Sequence, residues 1–479
     1  MHVQVYAALR TAITTGRCKA GERLPSSRSL ASLLGVSRTS TQTAYEQLVA
    51  EGYVDTRHGS GSYVAERADQ VRPKSRGRKQ RKRTDGQLSK YAASAMSSLP
   101  EGFLTLSSRP SLRHDFLYGI PSPDLFPHKE WRRALAAAAH LAPFGLSESS
   151  PQGMPRLRNA IARHLERNRG LSVDADQILI TSGLQQALQL VARVVCSPGD
   201  RVLLEEPGYP FARATCLSEG LNLEFAPVDH DGVDIGRVKG AARSRSKLAH
   251  VTPAHQFPMG SVLSFPRRMA LLDWADENDA YIFEDDYDSE YRYEGRPVES
   301  LYALDASRRV LYGGSFSKTL STELRVGYLA LPEDWVVPFQ AARWLAGWGN
   351  PLLEQAALAI FMEEGHLDRH IRRCRKRYGE RRLALVTALA SEFGERVDVF
   401  GDRTGLHVFV RFSDVSQGMS HELVVRALEK GVGIYPADDC FASISMTGGF
   451  ILGYGLLSKA SIPAAVAELK EIVASLGSG

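Results

Sequence analysis

The stretch RPKSRGRKQRKR, residues 72–83, constrains the chain most. Eight of its twelve residues are lysine or arginine. It has nothing apolar to bury and its charges repel one another, so no single core can run through it. It sits in a polar, basic zone from residue 66 to about 113, which is expected to be an extended, mobile linker. The 479 residues also exceed what one core holds. The chain therefore divides into a short patterned zone, 1–65, the linker, 66–113, and a long zone, 114–479.

Several classes are excluded early. No apolar run approaches the ~20 residues that span a bilayer. The N-terminus MHVQVYAALRTAITTGR carries charges inside an amphipathic pattern and has no signal-peptide core. The cysteines Cys18, Cys196, Cys216, Cys374 and Cys440 are odd in number, scattered and without CxxC spacing. That argues against a disulfide framework or a zinc site, so no metal is expected, and for a reducing cytoplasm. No internal repeat is present. The net charge of +5 is modest, and its distribution says more than its size.

In the first 65 residues a helix is expected from about Val3 to Thr15, ended by Gly16. Ser26 or Ser27 opens a short second helix that Gly35 closes, and Ser37 caps a third that stops at Gly52. Leu30, Leu33, Leu34, Val36, Ala44, Leu48 and Val49 supply the apolar stripe. YVDTRHGSGSYVA then reads as two short strands around a Gly-rich tip. A short helix, a tight turn at LGV and a longer helix suit a helix-turn-helix with a wing. The last helix opens on SRTSTQ: short hydroxyls, an arginine and an amide, able to meet base edges and phosphates in a major groove. A plain three-helix bundle with a polar face is the bland alternative. Arg28 and the wing weigh against it. The basic linker could add nonspecific phosphate contact.

From residue 114 onward, strand-like runs QILIT, RVLLEE, LAHVTP, AYIFEDD, RVLYGGS and RVGYLALP alternate with helical segments. This implies an α/β domain with a mainly parallel sheet, whose ligands sit at the carboxyl ends of the strands. Unusual residues fall there. Ser182-Gly183-Leu184 turns into a helix N-terminus, a phosphate cradle. Tyr209 could stack on a flat ligand, although such a ring more often packs. Asp285 could hold a protonated ring nitrogen and Tyr287 a ring oxygen, although EDDYDSEYRY also reads as a solvated acidic loop. Lys318 follows Ser315 and Ser317 at the end of a buried strand, and Arg325 comes seven residues later. One ligand suits the set: pyridoxal 5′-phosphate. Its aldehyde takes a lysine as a Schiff base, its ring nitrogen an anion, and its phosphate an arginine with N–H groups and hydroxyls.

The first zone resembles the winged helix-turn-helix of GntR regulators, carried by AGERLPSSRSLASLLGVSRTSTQTAYEQLVAEGYVDTRHGSGSYVA. The resemblance implies Arg28 on backbone phosphate, Ser37, Arg38, Thr39, Ser40 and Gln42 on the groove-facing helix, and Arg57, His58 and Gly59 at the wing. The long zone resembles fold-type I aminotransferases, above all their MocR-type relatives fused to a GntR head. The motifs include ITSGLQQAL, EEPGYP, TPAHQFPMG, FEDDYDSEYRY, GSFSKTLSTELRVGYL and TGLHVFV, in family order. The resemblance implies Lys318 as the Schiff-base lysine, Asp285 at the ring nitrogen, Tyr287 at the ring hydroxyl and Tyr209 over the ring. Ser182, Gly183, Leu184, Ser315 and Arg325 would surround the phosphate. Three positions depart from the aminotransferase pattern. Phe257 stands where an asparagine bonds the ring hydroxyl, with His255 or Gln256 as substitutes. Ile451 stands near the arginine that clamps a substrate carboxylate. Glu148 replaces a tyrosine that reaches in from the partner subunit.

The expectation is a cytoplasmic regulator of operator double-stranded DNA, a homodimer with no membrane contact. An amine, an amino acid or the cofactor itself would act at Lys318. The runner-up is a working aminotransferase with an accessory DNA-binding head. A nucleoid protein with a disused cofactor fold is a third reading.

Overall fold

The computed structural model describes residues 1–57, 60–66, 88–100, 111–141, 150–240, 245–295, 298–416, 418–442 and 448–476. They fall into two units, Met1–Gln87 and Leu88–Gly479.

The first unit has three helices, α1 (His2–Thr14), α2 (Ser27–Leu34) and α3 (Arg38–Ala50), and an antiparallel pair, β1 (Val54–Arg57) and β2 (Gly61–Val64). Local chemistry fixes the helix ends. Ser26 Oγ accepts the Ser29 N–H at 3.1 Å, and Gly35 closes α2 at φ 62°. Ser37 Oγ accepts the Ser40 N–H at 3.2 Å to start α3. Caps of this kind contribute about 1 kcal/mol each. Two cross-links set α2 against α3: buried Thr41 donates to Ser27 O at 2.9 Å, and the Tyr45 hydroxyl donates to Pro25 O at 2.7 Å. Leu30, Ala44, Leu48, Val54 and Val64 form the core. Leu33 and Leu34, expected in the apolar stripe, are instead exposed (78% and 48%). They occupy the last turn before Gly35, and so small a core does not reach it.

The expectation of one extended linker over 66–113 is corrected in its second half. Lys90–Ser98 is a helix, α4, and belongs to the large unit. The charge run has ended by then: LSKYAASAMSS holds a single charge. Ser89 Oγ caps the helix by accepting the Ala92 N–H, and Ser94 Oγ donates to Leu217 O at 2.9 Å.

The large unit is built on an eight-stranded sheet. Its strands are β3 (Ile178–Thr181), β4 (Arg201–Glu206), β5 (Asn222–Asp229), β6 (Gly232–Val233), β7 (Ser246–Val251), β8 (Tyr281–Asp286), β9 (Val310–Ser315) and β10 (Gly327–Ala330). The order is β3-β10-β9-β8-β7-β4-β5-β6. The run β9-β8-β7-β4-β5 is parallel, while β10 lies antiparallel to both neighbours. Central residues Leu248, Ile282, Phe283 and Leu311 are fully buried, the mark of a sheet covered on both faces. Sequence reading missed β5, whose NLEFAPVD interleaves polar residues because it lies near the sheet edge.

Helix α5 (Pro155–Arg169) and helix α6 (Leu184–Val195) flank this sheet, and α7 (His366–Phe393) leads toward a smaller antiparallel one. That sheet orders β11 (Val397–Phe400), β12 (His407–Phe412), β14 (Gly449–Gly453) and β13 (Tyr435–Pro436). Leu389 of α7, Phe412 and Phe450 share its core. No helix among the described residues is long and apolar enough to cross a membrane.

Candidate functional site

The carboxyl ends of the parallel strands open on a cavity of about 260 Å3, lined by Gly183, Leu184, Tyr209, Asp285, Tyr287, Ser315, Ser317, Lys318 and Arg325. Of the ten residues expected around a cofactor, only Ser182 is set apart. Its hydroxyl donates to Asn350 Oδ1 at 3.1 Å, and it lines a neighbouring cavity that Arg325 also reaches.

One end of the cavity suits an anion. Gly183, at φ 91°, starts α6, whose first N–H groups have no partner within the helix. The Arg325 guanidinium lies beside the helix start, its terminal nitrogens 3.8 Å from where a Cβ of Gly183 would stand, and the positive φ of Gly183 favours glycine at that turn. Arg325 itself holds φ 51°, left-handed for a non-glycine residue. Ser315 Oγ accepts the Ser317 N–H at 3.0 Å, pinning the turn before Lys318.

The other end suits a basic ring. His250 Nε2 meets Asp285 Oδ2 at 3.1 Å, while Asp285 Oδ1 is buried without a partner. An orphaned carboxylate oxygen is costly unless a donor comes to it, and a protonated ring nitrogen is such a donor. The Tyr209 ring packs edge-on to Phe257 at 5.6 Å, and burial pushes its hydroxyl pKa well up. Lys318 Nζ donates to the Gly119 carbonyl at 2.5 Å. Burial lowers the Lys318 pKa; Asp288 and Asp285 oppose that shift and Arg325 reinforces it. The amine is thereby biased toward its nucleophilic, neutral form.

Behind Tyr287 lies a relay that sequence reading did not assemble. His255 Nδ1 sits 3.0 Å from both Asp288 carboxylate oxygens and from the Tyr287 hydroxyl. One nitrogen cannot serve both roles. When Nδ1 carries the proton it donates to Asp288, and the Tyr287 hydroxyl is released toward the cavity. His407 Nε2 donates to Pro258 O at 3.2 Å, and burial, then His255, hold its pKa well below the usual value. His255, Asp288 and His407 bring one donor atom each within 4.8 Å of one another, a possible metal set that was not anticipated. Gly405, at φ 79°, makes the grouping possible, since a Cβ there would collide with the His255 ring. Tyr118 and Gly119 were also missed. His407 and Gly405 stood within the motif TGLHVFV, but nothing in their spacing tied them to His255.

In the small unit Arg28, Arg38, Thr39, Gln42 and Arg57 are all exposed, on α2, α3 and the end of β1. Arg57 lies over the Tyr63 ring at 4.8 Å, and Gln42 Nε2 donates to Glu46 at 3.1 Å. Ser37 and Ser40 bond each other at 2.8 Å as part of the α3 start. His58 and Gly59 lie outside the described residues.

Comparison with known proteins agrees with this two-part layout. Residues 2–64 match the model for bacterial regulatory proteins of the gntR family, and residues 122–439 that for aminotransferase class I and II. The chain is 34% identical to the probable rhizopine catabolism regulatory protein MocR of Rhizobium meliloti, over all of its own length and 94% of the relative's. The chain belongs to the MocR-type GntR family. The pyridoxine biosynthesis transcriptional regulator PdxR of Corynebacterium glutamicum is 32% identical, over 99% of this chain and 96% of that protein. Among solved structures, the α-aminoadipate aminotransferase LysN of Thermus thermophilus, in complex with N-(5′-phosphopyridoxyl)-L-leucine, superposes with a TM-score of 0.72. It is 28% identical and covers 82% of this chain and 100% of its own.

Two of the three departures of this MocR-type chain are placed by the structure. Phe257 lines the cavity and packs against Tyr118 and Tyr209. Gln256 is no substitute donor there: its Nε2 is held by Pro207 O and Phe257 O. Ile451 is fully buried in β14 beside Phe409 and Phe257, an apolar contact where an arginine was sought. Glu148 lies outside the described residues.

Proposed function

We propose that this chain is a DNA-binding transcription regulator whose large unit holds pyridoxal 5′-phosphate at Lys318 and reads a small amine, an amino acid or the cofactor itself. One observation carries the reading. The buried amine of Lys318 shares a cavity with an unpartnered Asp285 oxygen at one end and the Gly183–Arg325 anion cradle at the other. When bound, the cofactor supplies an aldehyde and an electron-withdrawing ring. The chain supplies the rest. Asp285 keeps a proton on the ring nitrogen, Tyr287 donates to the ring oxygen and Tyr209 covers the ring face. Gly183, Leu184, Ser315, Ser317 and Arg325 hold the phosphate, with Ser182 at its margin. Lys318, biased toward neutrality, is the exchangeable amine.

On the DNA side, Arg38, Thr39 and Gln42 read base edges, Arg28 and Arg57 hold phosphates, and Ser37 and Ser40 build the helix start that presents them. A ligand moves operator affinity only as far as it binds the two states differently. The regulator acts in the cytoplasm as a homodimer built on the large unit. A working aminotransferase would use the same Lys318, Asp285 and Tyr287, but apolar Ile451 disfavours an amino-acid carboxylate clamp and Phe257 offers the ring hydroxyl no hydrogen bond.

Borohydride reduction and peptide mapping test the assignment. A tag on Lys318 supports it, and a tag on another lysine overturns it. Candidate amines then separate the two activities. A spectral change that shifts operator binding without turnover marks the sensor, while repeated turnover with a keto acid marks the enzyme.

A further inference from the structure

We infer that a second cavity of the large unit, about 460 Å3 and lined by arginines of α5, α7 and the loop after β8, binds a phosphate-bearing small molecule. It shares no lining residue with the cavity around Lys318.

The charge inventory favours cations, although Arg169 is already paired with buried Asp286 at 2.6 Å. Arg167, Arg169, Arg292, Arg372 and Arg375 line it, against the acids Glu290 and Asp368. Asp368 is already engaged by Arg167 at 3.4 Å and His164 at 3.5 Å. Burial, then Asp286, push the Glu290 carboxyl pKa up, toward the uncharged acid that can donate a proton. Arg292 has like neighbours: besides burial, Arg403 and Arg169 press its pKa down. A cluster of guanidinium groups in this state is stabilised by an incoming anion.

The second observation is independent of charge. Arg169 Nε, Arg292 Nε, Ser289 Oγ and Thr404 Oγ1 are buried and have no hydrogen-bond partner among the described residues. All four belong to residues that line this cavity. Thr404 is only 2% exposed, so solvent does not satisfy it freely. Unsatisfied buried polar atoms are few in native folds, and here four that can donate gather at one place. A phosphoryl group fits that demand: it carries nearly two charges and three terminal acceptor oxygens, and guanidinium groups bind it through paired N–H donors. The volume exceeds a bare phosphate and leaves room for a small ester.

Calorimetry on the full-length protein, loaded with pyridoxal 5′-phosphate and dialysed so that the Lys318 cavity is filled, tests this. The probes are inorganic phosphate and glycerol 3-phosphate. One saturable site is expected, weakened roughly 10-fold or more by Arg292→Gln and several-fold by Thr404→Val. Retained cofactor absorbance shows that each variant is folded, and Thr404→Val keeps the test open where the arginine variant is unstable. Tighter binding of the ester names an ester as the natural source, and tighter binding of inorganic phosphate names the free ion. No saturable binding of either probe, or wild-type affinity in both cavity variants, overturns the site.

Discussion

The exposed arginines of the small unit and the enclosed groups around Lys318 draw on similar chemistry under opposite conditions. Arg28, Arg38 and Arg57 stand in water, where an ion pair contributes little and salt screens it. Their use is collective, along a polyanion. Lys318, Asp285 and Tyr209 sit where each group is felt singly, because burial changes protonation and leaves an unmet donor or acceptor costly. Substitutions in the head should therefore act by degrees, and substitutions in the cavity nearly all at once.

The largest effect tests that contrast at its buried end. Lys318→Ala should remove the visible absorbance of the lysine-bound cofactor completely, while Arg38→Ala leaves it unchanged. Absorbance spectra of the two variants check both halves.

Next comes acid stability of the large unit. Burial first, and secondarily Arg373, push His370 down to about 4, although its Nε2 donates to Thr319 O at 2.7 Å. An unfolded histidine titrates near ~6.5. As pH falls from about 6.5 to about 4 the unfolded chain takes up a proton that the folded one refuses. Stability is lost across that window, and the loss is complete below it. At about 1.36 kcal/mol per unit, His370 accounts for about 3 kcal/mol. His370→Gln should flatten this part of the profile in denaturant titrations. His407, also depressed, leaves a remaining slope of the same sign.

The head shows the graded effects. Arg38→Ala should reduce the preference for operator over random DNA by roughly 1–3 kcal/mol. Arg28→Ala should weaken both about equally and lower the salt-dependence slope by about 0.9. Binding measured across a salt series separates the two. A wild-type preference in Arg38→Ala would place base reading elsewhere.

What could be read from the sequence follows the range of the interaction. Ser26, Gly35 and Ser37 bound their helices as expected, because capping acts within a turn. Lys318, Asp285 and Tyr209 could be read together because strand ends of a parallel sheet converge, and the three line one cavity. The His255–Asp288 and His250–Asp285 pairs were not read as pairs, for their partners are 33 and 35 positions apart and meet only after folding. Lys90–Ser98 was misread because the charge run beside it dominated the composition. Leu33 and Leu34 fitted the helical period, yet a period says which side a residue faces and not where the core ends.

The end of β8 joins the two cavities in one more way. Asp285 and Asp286 are consecutive strand residues and so point to opposite faces. Asp285 takes His250 on the Lys318 side. Asp286 takes Arg169 at 2.6 Å and the Tyr312 hydroxyl at 2.5 Å, and Arg169 lines the arginine cavity. A phosphate drawing on Arg169 therefore competes with Asp286, on the same rigid element that positions Asp285. Thermodynamic linkage makes such coupling mutual. By whatever factor filling the arginine cavity changes affinity for the cofactor, loading the cofactor must change affinity for the phosphate by the same factor.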